Sequence, residues 1–143
     1  GIFMGIEEIN PNPEILDEDD RLLTGTPNWN NYGATSYDES GDLSITANTT
    51  NGARLASVHF NQLVTGQRYR ATVDETITAG YFSWSILGGV MPPFFITETG
   101  IGQTFEFTAG GTTNNMYVLA IETPSQGDFD NFSIINDGIK IKS

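Results

Sequence analysis

GDFDNFSIIN, residues Gly127 to Asn136, sets Asp128, Asp130 and Asn131 at the head of an apolar run. Successive side chains of an extended chain alternate between faces. Asp130 therefore shares a face with Phe132 and Ile134. That face is expected to point into a core, and a carboxylate turned inward at the entrance of a buried strand needs partners. Two kinds are open. Backbone N–H groups of a neighbouring turn could satisfy it, or a bound cation, since hard cations take carboxylate and amide oxygens of the kind Asp128, Asp130 and Asn131 offer. No EF-hand spacing accompanies them.

The same period of two recurs along the chain. In GDLSIT, Leu43 and Ile45 alternate with Asp42, Ser44 and Thr46. RYRATVDE sets Tyr69, Ala71 and Val73 against Arg68, Arg70, Thr72 and Asp74, and QTFEFTA sets Phe105 and Phe107 against Thr104, Glu106 and Thr108. YFSWSIL places Phe82, Trp84 and Ile86 opposite Tyr81, Ser83, Ser85 and Leu87, while NMYVLAIE is apolar on both faces, as a central strand covered on each side would be. Asn51-Gly52, Thr65-Gly66, Ala79-Gly80, Gly88-Gly89 and Gly110-Gly111 read as the intervening turns. No long window after Arg21 has the helical period. Short strands with Gly-rich turns predict an all-β fold, an antiparallel jelly-roll β-sandwich over residues 21–143.

Residues 1–20 differ. They hold Glu7, Glu8, Glu14, Asp17, Glu18, Asp19 and Asp20 with no Lys or Arg, and so carry −7 of the chain's net −12. Asn10-Pro11-Asn12-Pro13 is a breaker, because each Pro pushes the residue before it out of helical space. Asn12-Pro13 could cap a short helix through Ile15 and Leu16, although Asp17 to Asp20 make a poor helical interior. The expectation is an acidic N-terminal arm or linker before a body beginning near Arg21. It is either a solvated segment or a docking arm whose contacts are Ile2, Phe3, Met4 and Ile6.

At 143 residues the chain suits one domain with a true core. The absence of cysteine excludes disulfides and thiolate metal sites. Six Lys and Arg make no basic footprint, so nucleic acid is not an expected partner. The longest apolar runs are far short of the roughly 20 residues of a membrane-spanning helix, and no basic-then-apolar secretory signal opens the sequence. No membrane partner is expected. The single histidine, His59, lies in ASVHF, which reads as a strand, and neither a G-x-S-x-G nor an H-E-x-x-H pattern occurs. An enzyme is not expected.

Aromatic side chains suggest binding instead. The apolar C–H faces of sugars lie well on exposed Trp and Tyr rings, with amides and carboxylates reading the hydroxyls. TPNWNNYGATSYDES gathers Trp29, Tyr32 and Tyr37 with Asn28, Asn30, Asn31 and Asp38. Trp29, Tyr32, Tyr37 and Tyr81 are the candidate glycan contacts. Trp29 has a competing reading as cover for the open end of the sandwich, and Trp84 as core.

Four segments, RLLTGTPNWNNYG, LVTGQRYRATVDETITAG, FEFTAGGTTNNMYVLAIE and GDFDNFSII, together resemble the galactose-binding-like jelly rolls that include carbohydrate-binding modules of xylanase- and cellulase-associated type. Versions of that domain recur as accessory domains of phage tail and virion proteins. Trp29 matches a Trp after the family's first strand, Gly66-Gln67-Arg68-Tyr69 a Gly-x-x-Tyr opening a middle strand, and Asp130-Asn131-Phe132-Ser133-Ile134 the last strand. The resemblance spans residues 21–136. It implies the jelly roll, and at Asp130 the neighbourhood of one structural calcium ion. The acidic residue that usually completes that calcium site has no counterpart in LLTGTPNWN. Two functions are expected from it. The first is a non-catalytic virion protein, a capsid decoration or tail subunit whose partners are other virion proteins in a homo-oligomer or lattice. The alternative is an extracellular carbohydrate-binding module that holds a glycan on exposed aromatics.

Overall fold

The computed structural model describes the backbone of residues 6–8, 13–112, 114–136 and 139–141, and the side chains of 13–112 and 114–136. In chain order the elements are β1 (Ile6–Glu8), α1 (Glu18–Leu22), β2 (Asn30–Tyr32), β3 (Ser36–Asp38), β4 (Leu43–Ala47), β5 (Gly52–Leu55), β6 (Arg68–Ala79), β7 (Phe82–Ile86), β8 (Met91–Ile96), β9 (Gly100–Thr108), β10 (Met116–Ala120), β11 (Ser125–Asn136) and β12 (Ile139–Ile141). Two five-stranded sheets face each other, ordered β2-β5-β10-β7-β8 and β3-β4-β11-β6-β9, and β1 pairs with β12 as a separate ribbon. Every named pairing is antiparallel. This is the jelly-roll sandwich that the alternation predicts.

Alternation also places the core as read. Leu43 and Ile45, Ala71 and Val73, and Phe82, Trp84 and Ile86 are all buried. Phe132 is the hub between the sheets. Its ring centroid lies 4.9 Å from Trp29, 5.3 Å from Trp84 and 6.4 Å from Phe129. Phe82 meets Phe129 edge to face at 5.1 Å. A second row, Phe94, Phe105, Phe107 and Tyr69, stacks at 5.1, 6.0 and 5.8 Å where β8 and β9 come together.

β11 departs from simple parity. Asp130 pairs with Asp74 and Ser133 with Thr72, so β11 spends three steps against two on β6. The extra residue is a β-bulge at Asp130-Asn131, with Asn131 left-handed at φ 53°. Phe129 and Phe132, three apart, thus both point inward, and Asp130 turns out of the core to a half-buried outer position. The inward Asp130 expected from alternation is corrected by that one added residue.

Other readings are corrected as well. The body does not begin at Arg21: Ile15 and Leu16 are each 4 % exposed and belong to the core. Glu14 bridges to Ile135 and Leu16 to Phe60. The Glu14 carboxylate accepts from the Ile134 N–H at 2.9 Å and from the Ser133 hydroxyl, and pairs with Arg21 at 3.1 Å. α1 forms in the acidic Glu18–Leu22 stretch, which looked unsuited to it. Its three acidic residues occupy the first turn, where unpaired N–H groups favour negative charge, and Arg21 the last. Gly52 opens β5 instead of forming a turn, and only glycine fits there, since a Cβ would collide with the Val118 carbonyl of β10. His59 closes a 3₁₀ turn, Ser57–His59, not a strand. Of the expected docking residues, Ile2, Phe3 and Met4 lie outside the described residues, and Ile6 is described only through its backbone pairing with Ile141.

Phe132→Ala and Leu16→Ala are each expected to cost about 2–5 kcal/mol, as buried large-to-small changes. Urea unfolding would show a lowered midpoint at unchanged slope. An unmoved midpoint for Leu16→Ala would put residues 14–20 outside the folding unit.

Candidate functional site

Two surfaces carry chemistry, one on the outer face of each sheet. The first is on β2-β5-β10-β7-β8. Register places Asn30, Arg54, Tyr117 and Ser85 in one row, and Tyr32, Gly52, Leu119, Ser83 and Phe95 in the next. Tyr32 is 40 % exposed and meets Tyr117 edge to face at 5.1 Å. Gly52 has no side chain to fill the row between Tyr32 and Leu119. Ser83 and Ser85 alternate with the core residues of β7 and so face outward, yet both are buried, covered by the larger side chains around them. Arg54 stands in the middle of this face. Its Nε is buried without a hydrogen-bond partner, whereas Arg21, Arg68 and Arg70 all pair with carboxylates. Apolar rings, hydroxyls and a guanidinium are the means by which proteins hold a polyol with both a hydrophobic face and hydroxyl edges.

The structure separates the four expected glycan aromatics. Tyr32 is on this face. Tyr81 is half-buried at the entry to β7, with its backbone N–H donating to the Ser125 hydroxyl at 3.3 Å. Trp29 is 2 % exposed, donates its indole N–H to the Asp20 carbonyl at 2.9 Å, and stacks on Phe132. It is core, not a platform. Asp20, itself buried, accepts from the backbone and side chain of Asn28 at 2.6 and 3.1 Å and so fixes the approach to Trp29. Tyr37 packs partly against the core and donates its hydroxyl to Glu39 at 2.8 Å. Burial and that carboxylate hold its phenol well above the ordinary range. Tyr117 and Arg54 are the residues that sequence reasoning missed. NMYVLAIE and GARL look like core strands, and only register shows that their outward positions are neighbours.

The second surface is an open cavity of about 440 Å³ on β3-β4-β11-β6-β9, lined in part by Asp42, Asp74, Glu75, Asp128 and Asp130. Two bulges open it. β9 carries an extra residue opposite Val73-Glu75, with Gly102 at φ 68°, and β11 carries the Asp130-Asn131 bulge. Asp74 pins both: it accepts from the Gly102 N–H with one oxygen and from the Asn131 side-chain amide, at 2.6 Å, with the other. Burial, and the charges of Asp42 and Asp74, raise the Asp130 carboxyl, against the pull of the Asn131 N–H. Glu75, next in β6, points inward and is 4 % exposed, with neither carboxylate oxygen hydrogen-bonded. Burial first, and the adjacent Asp74 second, push it up to about 7. As for the calcium expected beside Asp130, no three His, Asp or Glu among the described residues converge on a point that could hold a metal ion.

No family model matches the sequence, and no curated protein matches it. Solved structures do. The N-terminal cellulose-binding domain of Cellulomonas fimi β-1,4-glucanase C superposes with a TM-score of 0.57 at 13 % identity, over 96 % of this chain and 99 % of that one. The CBM22-1 xylan-binding domain of Paenibacillus barcinonensis Xyn10C gives 0.55 at 13 % identity, over 92 % and 97 %. A mutant of a family 29 carbohydrate-binding module gives 0.54 at 14 % identity, over 89 % and 92 %. The fold is that of carbohydrate-binding modules. At these identities the likeness is one of architecture, and it extends over nearly the whole of each module.

Glu75 sets a pH dependence with a definite sign. A carboxyl raised in the folded state holds its proton where the unfolded chain, near 4.5, has lost it. Stability is therefore expected to fall as pH rises from about 4.5 to about 7, by up to about 1.4 kcal/mol per pH unit. Glu75→Gln should remove that slope from urea midpoints measured across the window. An identical slope in the variant would mean that other groups set it.

Proposed function

We propose that this protein is a non-catalytic carbohydrate-binding module that holds a glycan across the outer face of β2-β5-β10-β7-β8. The observation that carries the reading is the Tyr32–Tyr117 pair, which register aligns with Arg54, Ser83 and Ser85 on one sheet face. Tyr32 offers a ring face to a sugar. Arg54 and the two serines donate to hydroxyls, and Phe95, 53 % exposed, extends the apolar strip toward the sheet edge. The structural neighbours support this reading, because their own names give cellulose and xylan binding. A module of this kind acts where polysaccharide is, so an extracellular setting accompanies the proposal.

The virion reading has less support. Its docking residues Ile2, Phe3 and Met4 fall outside the described residues, and the neighbours named above are carbohydrate-binding domains rather than virion proteins.

A glycan array followed by calorimetry on the best hit tests the proposal. Tyr32→Ala and Arg54→Ala are each expected to weaken binding about tenfold or more, roughly 1.4 kcal/mol, while Tyr37→Phe leaves it unchanged. A wild-type protein with no glycan hit, or hits indifferent to both substitutions, would remove this face as the site.

A further inference from the structure

The face that carries Tyr32 has a charge pattern that binding of a neutral glycan leaves unexplained. None of the strands β2, β5, β10, β7 and β8 contains Asp, Glu or Lys, and Arg54 is their one charged residue. The facing sheet has carboxylates in β3, β6, β9 and β11. A chain of net charge −12 thus sets a single cation in the middle of an otherwise uncharged face. With so many carboxylates available, an arginine is expected to pair with one, as Arg21, Arg68 and Arg70 do. Arg54 pairs with none among the described residues. It stands in register between Asn30 on β2 and Tyr117 on β10, and is itself half-buried. Its Nε is shut off from water without a hydrogen-bond partner. A guanidinium partly withdrawn from water with no counter-charge is costly, and an acidic ligand would offset that cost.

We infer that the glycan held at this face carries a carboxylate, as the uronic acid units of acidic polysaccharides do, and that Arg54 selects it. The inference rests on the glycan reading of this face and narrows it to a substrate class. With Nε enclosed, the terminal nitrogens are the fork left to a ligand. That fork matches the two oxygens of a carboxylate, which it can hold bidentately, better than it matches separate hydroxyls. Tyr32 is placed to share the same ligand. It lies opposite Gly52, and Arg54 is two residues farther along β5, roughly 7 Å away. The ring takes the apolar face of a sugar, and the fork takes the acid group beside it. Arg54 has already given up part of its water on folding, so only the ligand's carboxylate is newly desolvated on binding.

Titration calorimetry on the whole chain tests this with tetragalacturonate and with xylotetraose bearing one glucuronic acid. Each acid is compared with its own methyl ester, at about 0.15 M salt to screen the repulsion from the molecule's net charge. Esterification removes the ligand's charge and leaves the protein untouched, so the comparison stands whether or not a variant folds. At least one acid is expected to bind about tenfold tighter than its ester, roughly 1.4 kcal/mol. Arg54→Gln should erase that ratio, and Arg54→Lys should keep part of it, since an ammonium retains the charge without the fork. Tyr32→Ala should weaken acid and ester by the same factor. Equal affinity of each acid and its ester overturns the inference, as does a ratio that survives Arg54→Gln, or no binding of any of the four ligands. Neutral xylohexaose separates the two readings. If it binds, loses affinity in Tyr32→Ala and no acid outdoes its ester, the glycan reading stands and the acidic one falls.

Discussion

Asp74 holds two irregular strands in register with one carboxylate, and much of the molecule depends on that. By binding the Gly102 N–H on β9 and the Asn131 amide on β11, it fixes a bulge on each side of β6. The β11 bulge adds the residue that lets Phe129 and Phe132 face the same way. Without it, one of the two rings would sit on the solvent face. The contacts of Phe132 with Trp29 and Trp84, and of Phe129 with Phe82, tie the two sheets together.

The same bulges have a polar consequence. Strands that separate to admit an extra residue leave space between them. Here the space is lined by the carboxylates on the outer side of β6 and β11, and by Glu75 from the inner side. A feature that completes the core thus also creates the acidic cavity. On the opposite sheet the rows run unbroken across β2, β5, β10 and β7, with a register shift between Trp84 and Ile86 where β7 meets β8. One sandwich carries two chemically opposite outer faces.

Much of the fold was legible in the sequence because period-two alternation is a local property. Leu43 and Ile45, Tyr69 to Val73, and Phe82 to Ile86 went inward as read, and NMYVLAIE took the central place its two apolar faces implied. The failures share a cause. Asp130 was misplaced by a bulge that is set by Asp74, distant in the chain. Residues 14–20 read as an arm since charge dominates them, yet Glu14 is satisfied by Ser133, the Ile134 N–H and Arg21, which lets Ile15 and Leu16 enter the core. Trp29 looked like a platform among polar neighbours because its partner Asp20 lies in the segment read as an arm.

For the sites, the sequence named the residue types but not the groupings. Aromatic and acidic residues were visible as classes, and Tyr32 was among those singled out. The sequence alone determined an all-β sandwich, its alternating core and its acidity, since these depend on side-chain type and on neighbours one or two residues away. Tertiary structure decided which tyrosine stands beside Arg54, which way Asp130 points, and that Glu75 is buried without a partner. Those depend on register between strands far apart in the chain, and a single inserted residue inverts register.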